Sequence, residues 1–467
     1  MNTKSVKSYF NNIVPLIEAG RKKNKFYHKL LAKYFSYFIT SGARVLEIGC
    51  GIGELLDSVK PFYGVGIDLS PEIISIAKSH YPHLRFIVQD AEKLDLKETF
   101  DYIILSDLVG SLWDIQAAFG NLQSVCHERT RIIISNLNYL WVPPIQMLEK
   151  IRIRHSRRMR NWLSQRDIIN ILSIAGFETI RTEKKILLPI YIPLLSWFFN
   201  NCLANLPFLR LLSITNFIIA KPVIETKREY SVSIIIPAKN ERGNIENAVL
   251  RLPTFGSSQE LIFVEGNSRD STYEEMIKVK KKFPHRNIQV IRQTGIGKGN
   301  AVREGFDAAV GEMLFIMDAD LTTAPEDMPK FYHALRNNKG EFINGCRLVY
   351  PLEKQAMRLL NLAANKIFGM LFSYLLGQKL KDTLCGTKVL LRKDYEIIRD
   401  NRSFFGEFDP FGDFDLLFGA AKLNLKIVEV IVRYKEREYG NIQIKRFRNG
   451  WLLLRMTLYA AKKLKFF

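Results

Sequence analysis

Leu314-Phe-Ile-Met-Asp-Ala-Asp-Leu-Thr-Thr323 is an apolar run that stops at two carboxylates two positions apart, Asp318 and Asp320. The apolar part, Met313 to Met317, has the length and continuity of a strand buried on both faces. Side chains two apart on a strand share a face. Two acids on one face repel unless a cation lies between them. A hard divalent ion with oxygen ligands, such as Mg²⁺, is the usual solution, and it commonly takes phosphate oxygens as well. That reading is a metal–diphosphate clamp. The rival is a solvated loop that holds two aspartates, and the rest of the chain has to decide between them.

Upstream, Ser231-Val-Ser-Ile-Ile-Ile-Pro-Ala-Lys-Asn-Glu241 reads as a strand stopped at Pro237, with a helix over 245–252. Glu260-Leu-Ile-Phe-Val-Glu265 is a second strand with Asp270 beyond its turn. Ile288–Ile291 is a third, leading into Gln293-Thr-Gly-Ile-Gly-Lys-Gly-Asn-Ala301 and a helix. Strands that end in acids and alternate with helices describe a nucleotide-type α/β unit with its ligand at the strands' carboxyl ends. Lys221-Pro-Val-Ile-Glu-Thr-Lys-Arg-Glu-Tyr230 is short, charged and carries an early proline. It reads as a linker at 223–230 between domains 1–222 and 231–467.

These motifs, in order and spacing, resemble family-2 glycosyltransferases of the GT-A fold, closest to the branch that transfers sugars to polyprenyl phosphates. The resemblance implies that Pro237, Asn240, Glu241 and Glu265, with Asp270, cradle a nucleotide-sugar. Lys298 and Arg303 then help to hold its diphosphate or sugar, and Asp318 and Asp320 bind Mg²⁺ or Mn²⁺. Position 265 is Glu where relatives usually carry Asp, which leaves the base preference open. Phe411-Gly-Asp-Phe-Asp-Leu416 supplies two carboxylates for a base, with Asp413 preferred to Asp415. Each reads equally as a helix N-cap, and a phosphate acceptor needs no base. Asp382-Thr-Leu-Cys-Gly-Thr-Lys388 resembles the acceptor-side motif, which puts Asp382 and Gly386 near the cleft. Arg437-Glu-Tyr-Gly440 and Lys445 resemble a loop that grips diphosphate or lipid phosphate, with a departure at Asn441-Ile-Gln443.

The first half has its own strand-to-helix turn, Arg44-Val-Leu-Glu-Ile-Gly-Cys-Gly-Ile-Gly53. A second strand ends in Asp68, placed to accept from ribose hydroxyls. A third ends at Gln89-Asp-Ala91, and Phe100–Asp107 and Arg131–Asn136 follow. The alternation predicts a doubly wound Rossmann-like sheet. The glycines fall Gly-x-Gly-x-Gly, with an acid two before the first. Together with Asp68 and Asp90-Ala-Glu92 they resemble class I S-adenosylmethionine-dependent methyltransferases. The resemblance implies that Glu47, Gly49, Gly51 and Gly53 line the methionine end of S-adenosyl-L-methionine, that Asp68 holds the ribose, and that Asp90 faces the adenine. Ser106, Asp107, Asn136 and Asn138 stand at strand ends, either positioning a methyl acceptor or capping helices. Arg21-Lys-Lys-Asn-Lys25 reads as a solvated face, and the basic run from Lys150 to Arg160 as either a solvated face or an anion contact.

The formal net charge of +21 favours anionic partners. Five scattered cysteines without a Cys-x-x-Cys pair argue against a zinc ribbon or disulfide framework. The polar N-terminus shows no signal-peptide core, which predicts a cytoplasmic protein, peripheral on the inner face of the membrane if it docks there. Ile186 to Leu209 carries no charge, but three prolines and three asparagines interrupt it. It reads as a buried cap or an interfacial segment rather than a span. Leu359–Leu376 and the acid-free Phe447–Phe467 are amphipathic, suited either to an anionic membrane surface or to core packing.

The expectation is therefore an α/β protein of two domains. It would be a bifunctional enzyme taking a nucleotide-sugar donor and a lipid-phosphate or glycan acceptor, with no nucleic-acid partner. The alternatives are a glycosyltransferase with a degenerate methyltransferase half, or a basic binding module on two inactive nucleotide folds.

Overall fold

A computed structural model describes residues 20–21, 23–151, 161–225, 228–350, 359–402, 412, 414–437, 439–440 and 446–466. The chain divides between Ile224 and Glu225 into two compact units, each built on a seven-stranded sheet.

In the first unit the strands are β1 (Arg44–Ile48), β2 (Tyr63–Asp68), β3 (Arg85–Val88), β4 (Phe100–Ser106), β5 (Cys126–Leu137), β6 (Phe177–Lys185) and β7 (Thr215–Pro222). Their order is β3-β2-β1-β4-β5-β7-β6, with β7 antiparallel between β5 and β6. The order reverses between β1 and β4, so the carboxyl ends of these two strands flank the crevice where α/β sheets place ligands. Helix α1 (Lys25–Phe38) packs Leu31, Tyr34, Phe35 and Phe38 inward, and Tyr34, Phe35 and Phe38 meet Phe217 of β7. Helix α2 (Gln165–Ile174) begins at Ser164, whose side chain and that of Asp167 form a reciprocal capping box.

In the second unit the strands are β8 (Val232–Ala238), β9 (Gln259–Glu265), β10 (Asn287–Arg292), β11 (Met313–Ile316), β12 (Phe342–Cys346), β13 (Lys388–Leu391) and β14 (Ile427–Ile431), in the order β10-β9-β8-β11-β13-β12-β14. β8 and β11 are buried on both faces, which is why their sequences are unbroken apolar runs rather than alternating ones. One core layer lies on each side of this sheet. β13 runs antiparallel to both β11 and β12, so its first residue, Lys388, lies opposite Ile316 and Asn344. Helix α3 (Lys298–Ala308) follows β10, and α4 (Phe414–Lys422) precedes β14. Helices α5 (Leu359–Leu376) and α6 (Arg446–Leu464) contribute Phe372, Leu375, Leu453, Met456 and Ala460 to one core layer. They leave Met370, Trp451 and Leu458 exposed, so the amphipathic stretches serve core packing on one face and remain apolar on the other.

Among the described residues no helix is long and apolar enough to cross a membrane. The 186–209 stretch is not a buried cap. It folds into short helical turns between β6 and β7 with most of its apolar side chains outward. Residues 1–19, the bulk of the Lys150–Arg160 run, Asp413, Asn441–Gln443 and Lys445 lie outside the described residues.

Candidate functional sites

The second unit gathers charge where β8, β11, β12 and β13 meet. Lys298, the first residue of α3, donates to Asp318 Oδ1 at 2.5 Å. Arg437 donates from one nitrogen to Asp320 Oδ2 at 2.5 Å and from another to Glu241 Oε1 at 2.9 Å. Asp320 Oδ1 accepts from the backbone and hydroxyl of Thr322, a local turn that fixes its rotamer. Burial alone pushes the Asp318 carboxyl up, but Lys298, Arg347 and Lys388 together hold it below the usual carboxylate range. Glu241 goes the other way, raised by burial against the pull of Arg437. Arg347 and Lys388 were not singled out by the sequence reading. Their signal was topological: the one follows the end of β12, and the other opens a strand antiparallel to β11.

Gly386 fixes the position of Asp318. A Cβ at 386 would lie 2.1 Å from Asp318 Oδ2 and 2.5 Å from Lys298 Nζ. That cradle, two carboxylates and no third acid, His or Cys grouped with them among the described residues, fits a hard divalent cation that completes its shell with substrate oxygens.

The nucleoside-side residues form one connected turn system. Asn240, at φ 55°, accepts from Arg269 N at 2.7 Å. Buried Glu265 accepts from Ser268 N at 2.5 Å, and Asp270 accepts from Arg242 N and Thr272 N. Pro237 sits in β8 beside Val264. Residues 434–437 and 439–440 run over these turns. Tyr434 bridges Thr323, Lys435 N donates to Thr322 O, and the Tyr439 ring covers Gly243 so closely that a Cβ there would lie 2.6 Å away.

Three of the expected residues are engaged elsewhere. Asp382 is fully buried. It accepts from Arg347 Nε at 2.8 Å, Arg347 Nη2 at 2.9 Å, Asn365 Nδ2 at 3.0 Å and two backbone N–H groups. Burial raises its carboxyl, but Arg347 outweighs that and brings it to about 2. This carboxylate has no open lone pair for a substrate; it orients Arg347, whose guanidinium stacks 4.9 Å over Tyr434. Asp415, also buried, pairs with Arg303 at 3.1 Å and with Arg402 at 3.7 Å. Arg303 therefore faces a carboxylate rather than open solvent.

In the first unit a cavity of about 490 Å³ opens at the ends of β1 and β4. Gly49, Gly51 and Gly53 all take positive φ, the conformation that the glycine turn requires. Asp68 ties this turn to β2, accepting from Gly51 N and Ser70 N at 3.1 Å each. Burial raises its carboxyl against those bonds. Asp90 caps a short turn through Glu92 N at 2.9 Å; of the expected cofactor residues Glu47 and Gly49 line the cavity, and Gly51, Gly53, Asp68 and Asp90 do not. Glu47 is buried, and its Oε2 has no hydrogen-bond partner among the described residues. Burial raises its carboxyl to about 8, with Arg21 pulling the other way. A buried carboxyl oxygen without a partner, on an acid that lines a cavity, fits the ammonium of an amino-acid cofactor. Arg21 is no solvated side chain: it pairs with Glu54 at 3.3 Å, lines the cavity and lies against Gly51.

Ser106, Asp107 and Asn136 line the cavity; Asn138 instead caps the 139–141 turn and donates to Leu211 O and Ser213 O. Asp107, at φ 51°, accepts from Tyr27 at 2.8 Å and Ser135 at 3.2 Å. Asn161 and Trp162 of the Asn-Trp-Leu-Ser turn complete the wall.

Residues 233–398 match the model of glycosyl transferase family 2, and residues 19–182 match a methyltransferase domain model. One match falls in each compact unit. The chain is similar to the dolichol-phosphate mannosyltransferase of Pyrococcus furiosus, 38% identical over 109 residues, covering 23% of this chain and 30% of that protein. It is also similar to the undecaprenyl-phosphate 4-deoxy-4-formamido-L-arabinose transferase of Salmonella typhimurium, 24% identical over 214 residues, covering 45% and 61%. The chain thus spans less than two thirds of the length of either relative. Among solved structures, a SAM-dependent methyltransferase of Thermotoga maritima is 15% identical, with TM-score 0.36, over 46% of this chain and 99% of that one. Glucosyl-3-phosphoglycerate synthase of Mycobacterium tuberculosis is 17% identical, with TM-score 0.37, over 50% and 80%.

Proposed function

We propose that the chain is a two-activity enzyme of glycan or glycolipid assembly. The second unit transfers a sugar, with inversion, from a nucleotide-sugar to a polyprenyl phosphate, and the first unit transfers a methyl group from S-adenosyl-L-methionine. The observation that carries the sugar-transfer reading is the set of cations at the two carboxylates that follow β11: Lys298 bonded to Asp318, with Arg347 and Lys388 acting on its charge, and Arg437 bonded to Asp320.

A leaving nucleoside diphosphate gains negative charge as the glycosidic bond breaks, and fixed cations in a partly buried site stabilise it. A divalent ion held by Asp318 and Asp320 supplies further charge neutralisation on the diphosphate. Lys298 and Arg437 then exchange their present carboxylate partners for phosphate oxygens, and Asp382 keeps Arg347 aimed. A phosphate acceptor arrives ionised, so no base is required, in keeping with the Asp415 carboxylate being tied to two arginines. The names of the polyprenyl-phosphate transferases among the relatives support this acceptor class. In the first unit Glu47 holds the cofactor's ammonium and Asp68 its ribose, while Asp107 and Tyr27 stand on the acceptor side. The face of α5 and α6 that bears Met370 and Trp451 suits a protein working at the inner membrane surface.

Nucleotide-sugar hydrolysis that depends on added Mn²⁺ and disappears in Asp318→Ala tests the first activity. Calorimetry with S-adenosyl-L-methionine, with Asp68→Ala as control, tests the second.

A further inference from the structure

The segment between β6 and β7 buries its polar side chains and exposes its apolar ones. Ser196, Asn200 and Asn205 are buried. Ser196 Oγ accepts from Ile192 N and donates to Ile190 O. Asn200 accepts from Leu187 N and Leu188 N and donates to Leu188 O, and Asn205 donates to Asn201 O. Asn200 and Asn205, two of the three asparagines that argued against contact with lipid, therefore satisfy the backbone of their own turns, and half-buried Asn201 accepts from Lys33 Nζ at 3.1 Å. What remains outside is hydrocarbon: every exposed residue between Ile190 and Leu212 is aliphatic, aromatic or proline. Leu194 is 86% exposed, Phe208 85% and Trp197 62%.

A monomer rarely leaves so much contiguous apolar surface uncovered. Protein interfaces carry a polar rim with hydrogen-bonding groups, and among the exposed residues here only Tyr191 and Trp197 carry one. Charge selects the kind of cover. No acid occurs between Glu183 and Glu225, whereas Lys184 and Arg210 flank the turns. Hydrocarbon with Trp and Tyr, edged by bases and free of acids, is the composition of a surface that enters an anionic lipid interface. The patch also adjoins the cavity of this unit. Trp141 donates to Leu212 O, and Trp141, Pro189 and Ile214 line the cavity wall.

We propose that the first unit docks on an anionic lipid bilayer through Ile190–Leu212, with Leu194, Trp197 and Phe208 entering the headgroup–acyl boundary, so that its cavity opens at the membrane surface. The docking depends on neither enzymatic activity.

The test is flotation of the full chain with vesicles of phosphatidylcholine, with and without phosphatidylglycerol. The chain carries Trp451→Asp and Leu458→Asp, to remove the apolar face of α6. This chain should float with the anionic vesicles, and adding Leu194→Asp and Phe208→Asp should lower its apparent affinity by about tenfold or more, with an unchanged thermal midpoint because both positions are exposed. Brominated acyl chains should quench a fluorescence component that Trp197→Phe removes. The proposal is overturned if the chain stays with buffer, if the added aspartates change flotation by less than about twofold, or if sedimentation shows a dimer that the aspartates dissolve.

Discussion

Replacing Gly386 by alanine should slow sugar transfer by about a hundredfold while leaving the second unit folded. The backbone at 386 has no positive φ, so alanine meets only a steric obstacle. Its Cβ would stand 2.1 Å from Asp318 Oδ2, and ordinary contact begins at 3.4 Å. The carboxylate must therefore retreat by roughly 1.3 Å, and Lys298 Nζ, 2.5 Å from the same point, by nearly as much. Lys298 is half-buried, and its long side chain yields more readily than a short carboxylate does. Asp318 stands immediately after Met317, whose N–H is bonded to Ile235 O, and retreats only by leaving its rotamer. Overpacking of this kind costs about 1–3 kcal/mol of stability. A misplacement of about 1 Å at a group that holds the reacting diphosphate costs on the order of a hundredfold in turnover. Mn²⁺-dependent release of nucleotide from a panel of nucleotide-sugars reads the effect, with Gly120→Ala as control because nothing lies within 4 Å of a Cβ there. Turnover in Gly386→Ala within about twofold of the parent would refute the placement of Asp318 at the diphosphate.

Arg437→Ala should move two affinities in opposite directions: Mn²⁺ alone binds more tightly because Asp320 and Glu241 lose their competing guanidinium, while nucleotide diphosphate binds more weakly; calorimetry measures both. Asp382→Asn should destabilise the second unit by about 3–5 kcal/mol, as expected for breaking a buried ion pair. Because the folded carboxyl lies near 2, below its ordinary value of 3.8, the wild-type pair's contribution is complete above pH about 4 and fades as pH falls through about 2, a loss that urea melts of Asp382→Asn should lack. Glu47 behaves oppositely. Its folded carboxyl near 8 is protonated in the cofactor-free protein at neutral pH, so affinity for S-adenosyl-L-methionine should rise with pH towards about 8 and fall above it as the cofactor's own α-ammonium deprotonates, and Glu47→Gln should remove the rising limb in titration calorimetry.

The sheets were legible because their central strands are buried on both faces and so appear as unbroken apolar runs, as at Ile234–Ile236 and Ile132–Ile134. The glycine turn and the acids at strand ends were legible because local geometry restricts which residues fit there. What depends on distant segments was not. Arg347 and Lys388 join the site only because β13 is antiparallel to two neighbours, and no local pattern records that pairing. Arg21 looked like one more base in a charged run, and its place over Gly51 follows from how the start of the chain packs. Asp382 carried the right motif, but its partners lie 17 and 35 positions away. The outward face of Ile190–Leu212 was hidden by asparagines whose bonds turn inward.

The run of residues 434–437 and 439–440 over the nucleoside-side turns has a consequence for biogenesis. Glu241 waits for a counter-charge 196 positions downstream, and Asp320 for the same arginine 117 positions on. At a synthesis rate of about 5–20 residues per second, that interval is roughly 10–40 s. Over that time a nascent chain holds a strand-end acid unneutralised beside an apolar sheet that gains β11 to β14 only as the interval runs, a window in which a holdase has something to grip and a premature stop leaves a donor pocket without its clasp.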